Sequence, residues 1–157
     1  MRTRQMMLLS MVIVFSLFSA ICTVSAQEYE AFAGVRSAKA IFDFRIGEQE
    51  SAEVHMEVIH QAYKDLVAMN KKPVFVVVFI GPAVNLVSKT DTKFSPKLAE
   101  TISAMAKDGI KFEICMVAVK ILKVDPLAIL PEIKKISNGW ISEIGYQSKG
   151  YSLVPVY

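Results

Sequence analysis

Residues 74–80, Val-Phe-Val-Val-Val-Phe-Ile, form an apolar run that no polar side chain interrupts. Pro73 precedes the run, and Gly81-Pro82 follows it. A strand with one face in solvent alternates apolar and polar residues, whereas a strand buried on both faces is apolar throughout. Strands of the second kind belong to parallel sheets that are covered by helices. The run therefore predicts a central strand of such a sheet.

Four other segments are rich in β-branched and aromatic residues or are bounded by turn residues, and these features favour strands. They are residues 38–46 (AKAIFDFRI), 110–119 (IKFEICMVAV), 134–137 (KKIS) and 151–156 (YSLVPV).

The segments between these strands have helical patterns. The first helix is predicted to have Ser51 as its N-cap and to end at Asn70, and the second helix to run from Ser95-Pro96 to Gly109. A short helix or turn is expected near residues 120–126, and a last helix follows Asn138. Strands that alternate with helices predict an α/β fold with a mostly parallel sheet. The predicted apolar stripe of the first helix is Val54, Val58, Ala62 and Leu66, spaced four residues apart, with Ile59 and Tyr63 beside them.

The N-terminus has the pattern of a secretory signal peptide. Arg2 and Arg4 precede an uncharged apolar stretch over residues 6–21, and Val24-Ser25-Ala26 offers a cleavage site. The apolar stretch is shorter than the roughly 20 residues of a spanning helix, which favours cleavage over a retained anchor. We expect a signal peptide at 1–26, an extension at 27–37 and one domain at 38–157, located in the periplasm or secreted.

The low net charge of the chain argues against two polyanionic partners, nucleic acid and anionic membranes. The formal net charge of +3 falls to +1 when the segment holding Arg2 and Arg4 is removed, because that segment has no acidic residue. Such a chain has no basic field to attract nucleic acid or an anionic membrane, so neither is expected as a partner.

The common catalytic motifs are missing from the sequence. There is no glycine-rich phosphate loop and no G-x-S-x-G nucleophile turn. His55 and His60 are five residues apart, which does not fit metal ligation from one helix face. Trp140 shares a helix face with Ile144 and is more typical of a core than of a pocket. The carboxylates at Glu48, Glu50, Glu53 and Glu57 fit a helix N-terminus better than an acid–base pair.

Cys115 is the residue most open to a functional interpretation. Cys22 leaves with the signal, so Cys115 remains as a single thiol in an exported protein. It lies late in the third predicted strand, and the carboxyl ends of parallel strands face the ligand crevice. Lys120 lies close enough in sequence to add positive charge. A reactive thiol and an inert buried cysteine both remain open, because free cysteine is among the most buried residue types.

The order of these segments resembles the DsrE/DsrF-like family, in particular its exported branch related to YchN-type proteins. The resemblance covers Lys39 to Val156 and is carried by three pieces of sequence. These are the Gly81-Pro82-Ala83-Val84 turn, the approach DGIKFEIC to Cys115, and the segment from Gly139 through Glu143 and Gln147 to Gly150-Tyr151 and Pro155.

The resemblance implies a three-layer α/β sandwich with a parallel five-stranded sheet, assembled into trimers or hexamers. It also implies that a cysteine at the position of Cys115 receives sulfur as a persulfide and passes it to a thiol-bearing partner protein. No cofactor is then needed. Gly81 and Gly139 would let the backbone approach the sulfur, with Lys120 as an electrostatic aid. The alternative is a non-catalytic oligomeric binding or assembly module in which Cys115 is structural.

Overall fold

The computed structural model describes residues 29–157. The described residues fall into two units, 29–33 and 34–157. In the first unit, the described part contains a single 3-10 turn, Glu30–Phe32. The predicted signal peptide at 1–26 lies outside the described residues. No helix among residues 29–157 is both long and apolar enough to cross a membrane.

The second unit is built from strands that alternate with helices. The strands are β1 (Ser37–Phe44), β2 (Lys72–Phe79), β3 (Lys111–Cys115), β4 (Ile133–Ile136) and β5 (Ser152–Val156). The helices are α1 (Gln49–Ala68), α2 (Pro96–Lys107), α3 (Met116–Ile121) and α4 (Gly139–Ser148), and a 3-10 segment, Gly81–Val87, follows β2.

The five strands form one sheet in the order β4-β3-β2-β1-β5, and every neighbouring pair is parallel. The prediction of an α/β fold with a parallel five-stranded sheet is confirmed. Strand β2 is the central strand, and Val76, Val77 and Val78 are completely buried in it. The continuous apolar run therefore marks a strand that is covered on both faces.

Helices cover both faces of the sheet, which gives the predicted three layers. Helix α1 contacts α2 and β2, and the Phe75 ring of β2 lies 5.5 Å from Tyr63 of α1. Helix α4 contacts β1, β2, β3 and β5. The connection from β4 through α4 to β5 runs back across the sheet, opposite to the earlier connections. Right-handed crossovers then place α4 on the opposite face from α1 and α2.

The third strand is shorter than predicted. It ends at Cys115, and helix α3 begins at Met116, so the prediction of a strand to residue 119 is wrong. The neighbouring strands explain this end, because Ile136 of β4 is the last residue of that strand and pairs with Cys115. Beyond that point a strand would leave its backbone groups unpaired, whereas a helix pairs them internally.

The buried face of α1 agrees with the prediction only in part. Ile59 is buried as predicted, and the other predicted residues that pack against the core are Ala62, Tyr63 and Leu66. Val54 and Val58 are instead 52% and 61% exposed, and Ala52 and Met56 are buried in their place. Both sets of residues have helical spacing, so the sequence pattern could not choose between them.

The predicted helix ends are confirmed except for one cap. Ser95 caps α2 by accepting a hydrogen bond from the backbone N–H of Leu98 at 3.0 Å. Asn70 and Gly109 have positive φ angles of 55° and 97° where α1 and α2 end. Glu48, rather than Ser51, is the N-cap of α1. The Glu48 carboxylate accepts hydrogen bonds from two backbone N–H groups at that helix end, and these lower its pKa.

Candidate functional site

A cleft of about 330 Å³ lies at the carboxyl edge of the sheet. Parallel strands bring the segments that follow them to the same edge, which is where ligands bind in open α/β sheets. Arg45 follows β1, Cys115 ends β3, and Asn138 follows β4. The residues that line the cleft are Arg45, Ile80, Gly81, Pro82, Cys115, Val117, Ala118, Ile121, Leu122, Asn138 and Trp140.

Cys115 lies at the junction of strand and helix in this cleft. It is the last residue of β3 and the N-cap residue of α3, and its thiol is free. The residue is 5% exposed. Only a small part of its surface is exposed, and that part lines the cleft. A reactant must therefore enter the cleft to reach the sulfur.

The structure brings two of the three predicted auxiliary residues to Cys115. Gly81 lines the cleft with a φ of 59°, a backbone conformation that favours glycine. A Cβ atom on Gly139 would lie 3.2 Å from the Cβ of Cys115 and 2.7 Å from Cδ1 of Ile80. Glycine at position 139 therefore lets the start of α4 approach the cysteine closely. Lys120 is exposed in the last turn of α3 and does not line the cleft.

Trp140 differs from its predicted role. It is 58% exposed and forms part of the cleft wall, so the expectation of a core residue is wrong. Ile144, one turn further along α4, is 63% exposed on the same side. Helix α4 instead buries Gly139 and Glu143 against the sheet.

Three buried carboxylates lie on the α4 side of the sheet, and the sequence analysis proposed none of them as a functional residue. They are Asp43 of β1, Glu113 of β3 and Glu143 of α4. Asp43 and Glu113 stand inside otherwise apolar strand segments, and an acidic residue in such a segment is the signal that could have found them. A buried charge is costly unless it is paired, so each acid requires a partner.

Glu113 joins the sheet to α4. Its carboxylate accepts a short hydrogen bond from the Ser142 hydroxyl and another from the Tyr146 hydroxyl at 3.2 Å. Burial and the neighbouring charge of Glu113 raise the pKa of Tyr146 to about 12, so this hydroxyl remains a donor. Because Glu113 and Cys115 are two residues apart in β3, they lie on the same face of the sheet. The two hydrogen bonds therefore hold α4 over the face that carries the cysteine.

Glu143 lies against Asp43. Burial, followed by the charge of Asp43 and a hydrogen bond with it, raises the pKa of Glu143 to about 7, and the charge of Arg45 opposes this shift. Arg45 donates from Nε to both carboxylate oxygens of Asp43 at 2.8 Å. The three side chains form a connected group between α4 and the cleft.

The remaining polar candidates do not form a site. Nε2 of His60 lies 2.6 Å from the Asp108 carboxylate, and Nδ1 of His55 lies 2.8 Å from the Ser51 backbone oxygen. Within residues 29–157 no group of three or more histidine, cysteine or acidic side chains could hold a metal ion.

Comparison with solved structures identifies the fold. A protein of unknown function, MTH1491 from Methanobacterium thermoautotrophicum, matches with a TM-score of 0.63 at 14% sequence identity, over 75% of this chain and 98% of that chain. The ychN protein from E. coli matches with a TM-score of 0.53 at 9% identity, over 76% of this chain and 99% of that chain. A search of curated proteins gave no match. At these identities the likeness concerns the fold alone.

The family comparison agrees with the fold and with the resemblance seen in the sequence. The model of the DsrE/DsrF-like family, which is associated in general with sulfur relay, matches residues 25–156. The match includes all five strands of the sheet and every residue that lines the cleft. The chain therefore belongs to the DsrE/DsrF-like family.

Proposed function

We propose that this protein carries sulfane sulfur as a persulfide on Cys115. The observation that carries the proposal is the position of Cys115 at the carboxyl edge of a parallel sheet, where its free thiol lines a cleft. Membership in a family associated with sulfur relay supports the same reading.

The chemistry needs one thiolate and two exchange steps. The Cys115 thiolate attacks the outer sulfur of a donor R–S–SH; a new S–S bond forms, and the donor leaves as R–S⁻. An acceptor thiolate then attacks the outer sulfur of the Cys115 persulfide, takes that atom as its own persulfide and releases the Cys115 thiolate. Neither step changes the overall oxidation state, so neither requires a cofactor.

The cleft supplies what these steps require of the protein. Its volume of about 330 Å³ leaves room for an outer sulfur atom and for the group that delivers it. Gly139 keeps the helix backbone against the cysteine without a side chain in between. The apolar walls at Ile80 and Ala118 limit water around the persulfide.

The burial of Cys115 favours a second candidate function. A cysteine that is 5% exposed also fits a structural role in a binding or assembly module. The two candidates differ in whether the native thiol reacts. In the module, maleimide labels Cys115 only after unfolding, whereas a sulfur carrier reacts in the folded state.

Exposed apolar side chains support association of several copies. Val54 and Val58 are neighbours on α1 and are 52% and 61% exposed, and Ile141 and Ile144 are neighbours on α4 and are 69% and 63% exposed. Adjoining exposed apolar residues of this kind mark interaction surfaces. We therefore include a homo-oligomer, a trimer or hexamer, in the proposal. The same proposal includes export, on the basis of the signal-peptide pattern at 1–26.

Sulfur release to cyanide tests the proposal. Residues 27–157 are loaded with polysulfide and freed of excess reagent, and cyanide is added. Cyanide takes the outer sulfur as thiocyanate and leaves the thiolate, so we expect up to one thiocyanate for each sulfur loaded. Cys115→Ala is expected to release none. Equal release from both proteins would overturn the assignment of Cys115.

A further inference from the structure

The guanidinium of Arg45 is held in place at the cleft, and most of its donors have no partner among residues 29–157. Its Nε donates to Asp43, and its Cζ lies 5.9 Å and 5.8 Å from the ring centroids of Trp140 and Tyr157. A guanidinium carries five N–H donors, of which Asp43 uses one. No hydrogen bond from either Nη group to another residue is found within 29–157. Arg45 is therefore a preorganised donor for an anion.

The rest of the cleft suits an apolar group. Arg45 is the one charged side chain among the described residues that line it. The volume of about 330 Å³ lies at the small end of the usual range for organic ligands. Its apolar walls are formed by Ile80, Pro82, Val117, Ala118, Ile121, Leu122 and Trp140.

We propose that the cleft beside Cys115 binds an organic monoanion with an apolar body. The carboxylate, or an equivalent anionic group, accepts hydrogen bonds from the Nη groups of Arg45, and the hydrocarbon part packs on the apolar walls. Asp43 already balances the charge of Arg45, so hydrogen bonds from the Nη groups, and not a net positive charge, hold the anionic group of the ligand. These donors offset the desolvation of one charged group, whereas a second negative charge would be desolvated without a partner. The site therefore favours a monoanion over an inorganic dianion.

This inference deepens the proposed function and rests on it in one respect. Where Cys115 carries sulfur, the donor is an organic persulfide of this class, since the cleft that binds the anion also leads to the thiol. Binding itself requires no reaction at Cys115. A Cys115→Ser protein therefore tests the site separately from sulfur transfer.

Trp140 provides a direct readout, because it is the single tryptophan of the chain and lines the cleft. Octanoate and 1-octanol are titrated separately into residues 27–157 carrying Cys115→Ser, with Trp140 fluorescence as the signal. We expect saturable binding of octanoate at least tenfold tighter than that of octanol. Equal affinity for the two probes, or no saturable binding of octanoate, would overturn the proposal.

Variants of Arg45 and of a distant cation locate the anion contact. Arg45→Gln is expected to weaken octanoate binding at least tenfold. Lys64→Gln removes the same charge from the exposed side of α1 and is expected to leave the affinity unchanged. Equal losses in the two variants would mean a general effect of net charge and would contradict a contact at Arg45.

Arg45→Gln removes the cation beside the buried Asp43, and this variant could fail to fold. A pair of opposite charges placed at one position of the cleft wall then provides the test. Ile121 lines the cleft and is 70% exposed, so it tolerates polar replacement. Ile121→Glu and Ile121→Lys lose the same apolar contact but differ in charge. We expect octanoate to bind the Glu variant several-fold more weakly than the Lys variant. Indistinguishable affinities would overturn the proposal even if sulfur loading on Cys115 is intact.

Discussion

Gly139 lies directly against Cys115, and a Cβ atom at position 139 would crowd the cysteine and overlap the side chain of Ile80. Such an atom on Gly139 would be 3.2 Å from Cys115 Cβ and 2.7 Å from Cδ1 of Ile80. The start of α4 therefore approaches the end of β3 closely because position 139 carries no side chain.

Gly139→Ala is expected to destabilise the protein and to slow reactions of the Cys115 thiol. Ile80 is buried and β-branched, so displacing its side chain costs roughly 1–3 kcal/mol. Gly145→Ala on the same helix is the control, since nothing lies within 4 Å of its Cβ position. That change is expected to be neutral or to stabilise α4 by up to about 1 kcal/mol. Urea denaturation measures both, and equal stability of the two variants would contradict the close approach.

Glu143 is expected to make stability depend on pH between about 4.5 and about 7. The folded state holds this proton more tightly than the unfolded state, because the pKa of the carboxyl group is raised on folding. The free energy of unfolding should therefore fall as pH rises through this window, and Glu143→Gln should flatten the slope. Thermal melts from pH 4.5 to 8 provide the measurement, and a slope that is unchanged in the variant would exclude Glu143 as its source.

Glu113 is expected to stabilise the contact between α4 and the sheet. Hydrogen bonds to a charged group contribute about 1.5–3 kcal/mol, so Glu113→Gln should lower the free energy of unfolding by an amount in this range. Ser142→Ala in the Glu113→Gln background should cost less than Ser142→Ala alone, because the two residues share one hydrogen bond. Glu100→Gln, at an exposed carboxylate of α2, should change stability by less than about 0.5 kcal/mol. Strictly additive effects of Glu113 and Ser142 would argue against the contact.

Ile144→Lys is expected to reduce the oligomeric state if the exposed face of α4 is covered by another copy. A lysine there would be desolvated in an apolar interface. Val58→Lys applies the same test to the exposed face of α1. Light scattering at micromolar concentration gives the mass of each variant, and a wild-type protein that is already monomeric would contradict the proposed assembly.

The sequence predicted the fold because its strongest signals are local. The run from Val74 to Ile80 defines a strand buried on both faces, and Ser95 and Gly109 define the ends of a helix. These features depend on residues close together in the chain. The position of Cys115 at the sheet edge followed from the order of strands and helices, and the structure places it in the cleft.

The surroundings of Cys115 could not be predicted in the same way, because they depend on pairing between distant segments. Asp43 and Glu143 are 100 positions apart in sequence and meet only when α4 packs on the sheet. The exposure of Trp140 depends on which side of α4 faces the strands. Helical spacing allows either the Trp140–Ile144 side or the Gly139–Glu143 side of α4 to face the sheet. The contact between Glu143 and the buried Asp43 of β1 selects the second side.

Intact-mass spectrometry of residues 27–157, before and after polysulfide and without reductant, tests the central claim most directly. Cys115→Ala is treated in parallel. The account predicts a gain of one or more sulfur atoms on the wild-type protein in its folded state, and no gain on the variant. A folded wild-type protein that gains no sulfur, with Cys115 labelled only in denaturant, would contradict a sulfur-carrying role and identify Cys115 as a structural residue.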